Sequence, residues 1–398
     1  MSTTTSPTTS TTTSPTTSPG YEAPGLTAPD TQQPPTDGDV EAVVGALCAR
    51  LMESTVHVAE MSTVYLGERL GLYRAVHRLG RTTAPALAHE AGLSARYVQE
   101  WCEQQAVAGL IAVDDVAADP GERLFSLPVG HEQVLADPSS PAYLAPLGLM
   151  ASGVTAGLPA VAEAFRSGAG VPMAAYGSAG REAQEALNRT TYLLGVQGWV
   201  EMLPDVATAL SRPGARIADI GAGCGWSSVA LAQAFPHADV VAVDLDQASV
   251  ERAREVAAAA GAADRVTVVQ GDATDGLGAL AGEGFDLVTV FEALHDTARP
   301  VDVLAGVRTL LRPGGAVLVG ELGAQDSFTA PGELLERLIM ASSVLFCLPS
   351  AMAGADAEPT GGAMRPPTMR ALARRAGFET VTVLPTTDPM WRFFRLDP

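Results

Sequence analysis

The sequence predicts an α/β chain: a doubly wound, seven-stranded, mostly parallel sheet preceded by a mainly helical winged-helix module. Three observations predict it. From Arg216 onward, apolar runs of strand length alternate with helical segments, the pattern of a parallel sheet with crossover helices. Between 39 and 140, helical periodicity gives way to two short alternating runs. The first strand of the second half runs into a glycine-rich turn, "RIADIGAGCGWSS" (216–228). An open parallel sheet binds its ligand at such a strand end.

Residues 1–38 are dominated by Ser, Thr, Pro and Gly. They bury too little apolar surface to offset the entropy of ordering, so a disordered tail is expected. From 39 to about 79, Val43, Leu47, Leu51, Val58, Met61, Val64 and Leu72 recur at helical steps, with Gly71 as punctuation. Gly92 supplies a tight turn and Ser94 stands where it would cap the next helix. "LIAVDD" and "RLFSLP" then read as a two-stranded wing. Residues 141–212 read as a helical linker whose apolar face carries Leu187, Leu194, Trp199 and Leu203. The last unit, 213–398, contains seven strand segments: "RIADIGA", "ADVVAVDLD", "RVTVVQGD", "FDLVTVFEA", "GAVLVGEL", "FETVTVLP" and "WRFFRL".

Composition excludes several functions. The chain of 398 residues has a formal net charge of −20. Nucleic-acid binding draws on Lys and Arg, so an acidic chain argues against that partner. The helix that would read a DNA groove, "SARYVQEWCEQQAVAG", carries Arg96 against Glu100 and Glu103. A dimerisation and substrate-covering role fits this module better than DNA binding. There is no lysine, which removes Schiff-base catalysis and the P-loop lysine. Cys48, Cys102, Cys224 and Cys347 are dispersed, with neither disulfide nor zinc spacing, so no metal is expected. No signal peptide and no uninterrupted apolar run of membrane length stand out. The expected setting is the cytoplasm, without a membrane partner.

The glycine stretch is G-x-G-x-G. A dinucleotide site would place its third glycine where Trp226 stands. The next two strands end in Asp244 and Asp272. The first suits a ribose diol and the second an adenine amino group. Acids at three consecutive strand ends, beginning with Asp219, form one constellation rather than three separate helix caps.

On these residues the region 214–398 resembles the class I S-adenosylmethionine-dependent methyltransferases, with their Rossmann-like domain. "ADIGAGCGW" is similar to their first motif, "VVAVDLD" to the ribose-binding segment and "QGDATD" to the adenine-contacting segment. The resemblance implies that Asp219, Gly221, Gly223 and Gly225 frame the methionine part of the cofactor. It implies Asp244 and Leu245 at the ribose, Asp272 and Ala273 at the adenine, and Phe291 on the cofactor wall. The whole chain, with "GLYRAV" and "FEALHDTARP", resembles an actinobacterial-type group of winged-helix methyltransferases, some of them acting in natural-product pathways. That group implies a homodimer and a small-molecule acceptor.

Methyl transfer is an in-line displacement that sometimes needs a base. His295, followed by Asp296 just after the fourth strand, is the leading base candidate. A structural or merely orienting role is the alternative, and Glu292 and Glu321 are other polar groups at strand ends. Adjacent residues need not face each other, so no His–Asp pair is inferred. The insertion after the fifth strand offers Met340, Phe346 and Cys347 as an apolar substrate wall, joined by Tyr192 and Trp199. The expectation is methyl transfer to a small, mainly apolar molecule. The competing readings are a non-methylating use of the same cofactor and a DNA-binding regulator.

Overall fold

The structure, a computed structural model, describes residues 36–275, 277–280, 282 and 284–398. The tail expected over 1–38 lies outside the described residues as far as position 35. Thr36 starts the first helix: its hydroxyl accepts from the Asp39 N–H, and the Asp39 carboxylate accepts from the Thr36 N–H, a reciprocal cap.

The N-terminal unit runs α1 (Asp37–Arg69), α2 (Leu72–Leu79), β1 (Thr82–Thr83), α3 (Ala84–Ala91), α4 (Ala95–Val107), β2 (Ala112–Val113), β3 (Leu124–Ser126) and α5 (His131–Leu135). Gly71 at φ 67° breaks α1 from α2, and Gly92 at φ 66° ends α3. Ser94 does stand before α4, but its side chain makes no capping bond. The wing has three strands rather than two, in the order β1-β3-β2. Sequence reading missed β1 because two threonines carry no periodicity. On α4, Arg96 is ion-paired with Glu100, so the one arginine of the would-be reading helix is already engaged.

The linker comprises α6 (Leu147–Ser167), α7 (Gly177–Glu201) and α8 (Pro204–Leu210). Of its expected apolar face, Trp199 and Leu203 are buried but Leu194 is exposed. By length and composition, three helices could cross a membrane: Asp37–Arg69, Leu147–Ser167 and Leu334–Ala351. Each is broken by charges or glycines, as the sequence leads one to expect.

The second unit continues β4 (Ala215–Ile220), α9 (Trp226–Ala234), β5 (Ala238–Asp244), α10 (Gln247–Ala259), β6 (Val266–Gln270), β7 (Phe285–Phe291), α11 (Pro300–Leu310), β8 (Leu311–Leu322), α12 (Leu334–Ser342), α13 (Leu348–Ala351), α14 (Pro366–Arg375), β9 (Thr380–Leu384) and β10 (Trp391–Asp397). All seven expected strands form one sheet in the order β6-β5-β4-β7-β8-β10-β9. Only β10 runs against its neighbours.

Helices cover both faces, which is why β7, "FDLVTVF", is buried along its whole length. One apolar layer centres on Trp199, Leu203, Val229 and Phe393, the other on Leu304, Val307, Met369 and Phe394. The strand order reverses between β4 and β7. The carboxyl ends of these two strands flank the crevice where such sheets take their ligands.

Candidate active site

The glycine turn follows β4. Gly221, Gly223 and Gly225 all adopt positive φ, at 71°, 53° and 81°. A Cβ on Gly221 would lie 2.4 Å from the Ala293 Cβ, and one on Gly225 would lie 2.9 Å from the Ala253 Cβ. Side chains are therefore barred by backbone torsion and, at two positions, by close packing. Gly223 faces open space. The turn is pinned from below: the Gly221 and Ala222 N–H groups both donate to the Val243 carbonyl, at 2.8 and 3.0 Å.

Asp219 is buried, and its oxygens are taken inside the protein. Oδ2 accepts from the Ser227 and Ser228 hydroxyls, each at 2.6 Å, and Oδ1 from the Thr289 hydroxyl at 2.7 Å. Burial pushes its carboxyl up, against the pull of these three hydroxyls. Asp219 thus ties β4, β7 and the start of α9 together beneath the turn. Ser228 and Thr289 were not legible as supports, because an interior hydroxyl in a strand or helix leaves no sequence pattern.

Asp244, at the end of β5, accepts from the Gly223 N–H at 2.8 Å through Oδ2 and from the Asp246 N–H at 2.9 Å through Oδ1. Burial raises its pKa and these two backbone donors oppose the rise. Leu245 beside it is exposed. Asp272 is exposed too, its Oδ1 accepting from the Thr274 N–H and hydroxyl at 2.8 and 2.7 Å. Ala273 lies between them, half-buried. Arg299 braces this loop by donating to the Thr274 hydroxyl at 2.8 Å and to the Asp275 carboxylate at 3.0 Å. Sequence reasoning missed Arg299, which lies 25 residues from the loop it holds.

Beyond β7 the chain turns sharply. Glu292 takes φ 47°, a costly conformation for a side-chain-bearing residue. It is held there by its N–H, which donates to the Gly320 carbonyl at 2.8 Å. Ala293, next along, packs against Gly221, so this turn and the glycine turn share one wall.

His295 is buried, and its Nδ1 lies 2.5 Å from Glu321 Oε2. Its Nε2 lies 3.3 Å from Asp296 Oδ1, close enough for an ion pair, although that oxygen has no hydrogen-bond partner. The His–Asp approach not inferred from sequence is therefore present. Burial opposes charge on the ring, but Asp296 and Glu321 overcome it and hold the imidazole pKa well above its ordinary value. Burial likewise pushes the Glu292 carboxyl up to about 7; His295 resists this, and Glu321 and Asp296 reinforce it.

Cys347 reaches the same cluster from an insertion turn with π-helical bonding (Ser343–Cys347), a turn type often found at functional sites. Ligand atoms of His295, Asp296 and Cys347 lie within 4.8 Å of one another, a grouping able to hold a metal ion. The expectation of no metal rested on spacing along the chain, which is blind to a grouping made by folding.

The other expected substrate residues are placed differently. Phe346 packs edge-on against Tyr176 at 4.8 Å, on the linker side. Met340 is half-buried on α12. Tyr192, Trp199 and Phe291 are buried in one aromatic cluster with Trp391 and Phe393; Trp199 lies 5.4 Å from Phe291 and 4.7 Å from Trp391. The Tyr192 hydroxyl accepts from Asn188 at 3.2 Å.

Known proteins share this architecture. A family described as "Methyltransferase domain" matches residues 211–347, and an "Rv2258c-like winged HTH domain" matches 59–137. A demethylmenaquinone methyltransferase of Clavibacter sepedonicus is 35% identical over 159 residues, 39% of this chain and 59% of that protein. The chain thus spans little more than half the length of that relative. A ubiquinone biosynthesis O-methyltransferase of Bordetella avium is 32% identical over 183 residues, 46% of this chain and 67% of that protein. The solved mitomycin 7-O-methyltransferase shares the fold at 20% identity with a TM-score of 0.62, over 90% of this chain and 99% of that one. Other chains of this fold are solved with S-adenosylmethionine or S-adenosylhomocysteine bound. With both domains matched and in this order, the chain belongs to the S-adenosylmethionine-dependent methyltransferases, carrying a methyltransferase domain behind a winged-helix domain.

Proposed function

We propose that this chain transfers a methyl group from S-adenosylmethionine to a small, mainly apolar acceptor in specialised metabolism. The observation that carries the reading is the glycine turn with Asp244. Gly223 presents its backbone to open space while its N–H is fixed by the Asp244 carboxylate. The residues fit the cofactor: a turn without side chains at closest approach, and acids at the next two strand ends. The bound cofactor supplies an electrophilic sulfonium methyl.

The remaining work falls to the chain. Gly221, Gly223 and Gly225 form the floor, and Asp219 holds that floor from beneath. Asp244 and Asp272 accept from the sugar and the base, and Arg299 keeps the second loop closed. His295, its pKa held up by Asp296 and Glu321 against burial, is an anchor for an acceptor oxygen rather than a base. Glu292, poised near neutrality, is the group able to take a proton from the acceptor. The quinone-related names of the two curated relatives and the mitomycin-directed name of the structural neighbour agree with a compact ring acceptor.

Calorimetric titration of the full chain with S-adenosylhomocysteine, with NAD as control, tests the reading. Micromolar binding of the first alone is expected. Absence of that binding, or equal binding of NAD, would overturn it.

The same reading includes a homodimer. α1 exposes Val43, Val44, Leu47, Leu51, Met52 and Val58, an apolar surface far from the scattered pattern of a monomer. A second copy covering this helix accounts for it. Sedimentation of the full chain is expected to give a dimer, and Leu47→Glu with Leu51→Glu a monomer. A monomeric parent chain would sink this part.

A further inference from the structure

The acceptor cluster is unbalanced in charge and in hydrogen bonding. Three carboxyls, Glu292, Asp296 and Glu321, surround one imidazole, His295. Glu321 has no solvent exposure. One oxygen is spent on His295 Nδ1, while its Oε1 is buried without any hydrogen-bond partner. Asp296 Oδ1 is likewise buried without a hydrogen bond. Unpaired buried acceptors are costly, on the order of 1–3 kcal/mol each, and native sites rarely keep them unless a ligand or water donates. Two such oxygens in one cluster call for a donor from outside the chain.

Charge points the same way: Asp296 and Glu321 are two acids against the single imidazole between them. The cluster also has an open side, since the Asp296 side chain is one-third exposed. Tyr192 and Phe291, their ring centroids 6.0 Å apart, stand near the same strand end. The neighbourhood is acidic at one point and aromatic around it.

We propose that the acceptor is a cationic aromatic compound, a ring bearing a protonated amine, whose ammonium group is held by Asp296 and Glu321. This inference rests on the methyltransferase reading of the site and deepens it. An organic ammonium fits better than a metal ion. It brings several N–H donors to spread over the unpaired oxygens, whereas a metal ion brings none. Its apolar body matches the aromatic surroundings.

The test uses the full chain loaded with S-adenosylhomocysteine, whose sulfur is uncharged. Two matched pairs are titrated by calorimetry: tyramine against 4-hydroxyphenylacetate, and tryptamine against indole-3-acetate. Each amine is expected to bind at least tenfold more tightly than its acid partner. Asp296→Asn is expected to bring both ratios below threefold, and the wild-type ratios decide the matter if that variant does not fold.

Equal binding within each pair, preference for the acids, or no binding of either amine overturns the proposal. So does S-adenosylmethionine binding at least tenfold more tightly than S-adenosylhomocysteine with no amine preference, since the acids would then serve the sulfonium alone. Micromolar binding of zinc that displaces the amines overturns it in favour of a metal at His295, Asp296 and Cys347. Failure of S-adenosylhomocysteine to bind sinks the underlying function instead. Its binding without an amine preference sinks only this inference.

Discussion

Asp244→Ala is expected to weaken S-adenosylhomocysteine binding at least 100-fold while the chain stays folded. The carboxylate makes two charge-assisted bonds, to the Gly223 N–H at 2.8 Å and the Asp246 N–H at 2.9 Å. Bonds to a charged partner contribute about 1.5–3 kcal/mol each. Both ends are needed for the cofactor: one fixes the torsion of the glycine turn, the other fixes the turn that follows β5. Their loss disorders the floor and removes the acceptor for the ribose hydroxyls together, and 100-fold corresponds to roughly 2.7 kcal/mol. Folding loses less, because the Val243 carbonyl still holds Gly221 and Ala222. Calorimetry and thermal melting separate the two. Unchanged affinity would remove Asp244 from the cofactor site. A collapse of the melting transition would make its role structural.

Glu321→Ala is expected to destabilise the chain by about 3–5 kcal/mol at pH 7, the usual cost of stripping one partner from a buried ion pair. Glu321 is fully buried on β8 and its carboxylate meets His295 Nδ1. Removing it leaves the buried ring with Asp296 as its remaining ion-pair partner, at 3.3 Å and without hydrogen-bond alignment. Glu321→Gln retains an acceptor for Nδ1–H and is expected to recover part of the loss. The pH dependence gives an independent signature. The pKa of His295 is raised above its ordinary value in the folded chain. Its stabilisation is therefore fully present below the unfolded value, near 6.5, and is lost as pH rises through the folded value. Melting temperatures measured across pH 5–9 should fall on the alkaline side in the parent chain and flatten in Glu321→Gln. Parallel curves would show that the pair carries no linked proton.

Much of the architecture was legible because it is written in local patterns. Seven strands and their crossover helices follow from apolar runs separated by amphipathic turns, and the sheet contains all seven. The glycine turn was legible for the same reason: three glycines at alternate positions permit the positive φ values they adopt, which residues with side chains disfavour. The failures share one character. Phe346 was read only as part of a substrate wall, and its contact with Tyr176 of the linker was not foreseen. Leu194 looked like part of a buried face but points to solvent. In both cases an apolar side chain announced burial somewhere without saying against what. The three-stranded wing was read as two-stranded because β1 is two threonines without a period and gains its place from pairing with β3.

The sequence by itself determined the sheet, the glycine turn and the acids at the strand ends, because torsional preference and hydrophobic period act over a few residues at a time. Only the tertiary structure decided what those groups do to one another. It turned Asp219 inward onto Ser227, Ser228 and Thr289. It set Glu321 against His295 across 26 residues of chain and drew Cys347 to the same point. Protonation, hydrogen-bond satisfaction and charge balance depend on distance and burial in space. No spacing along the chain encodes either quantity.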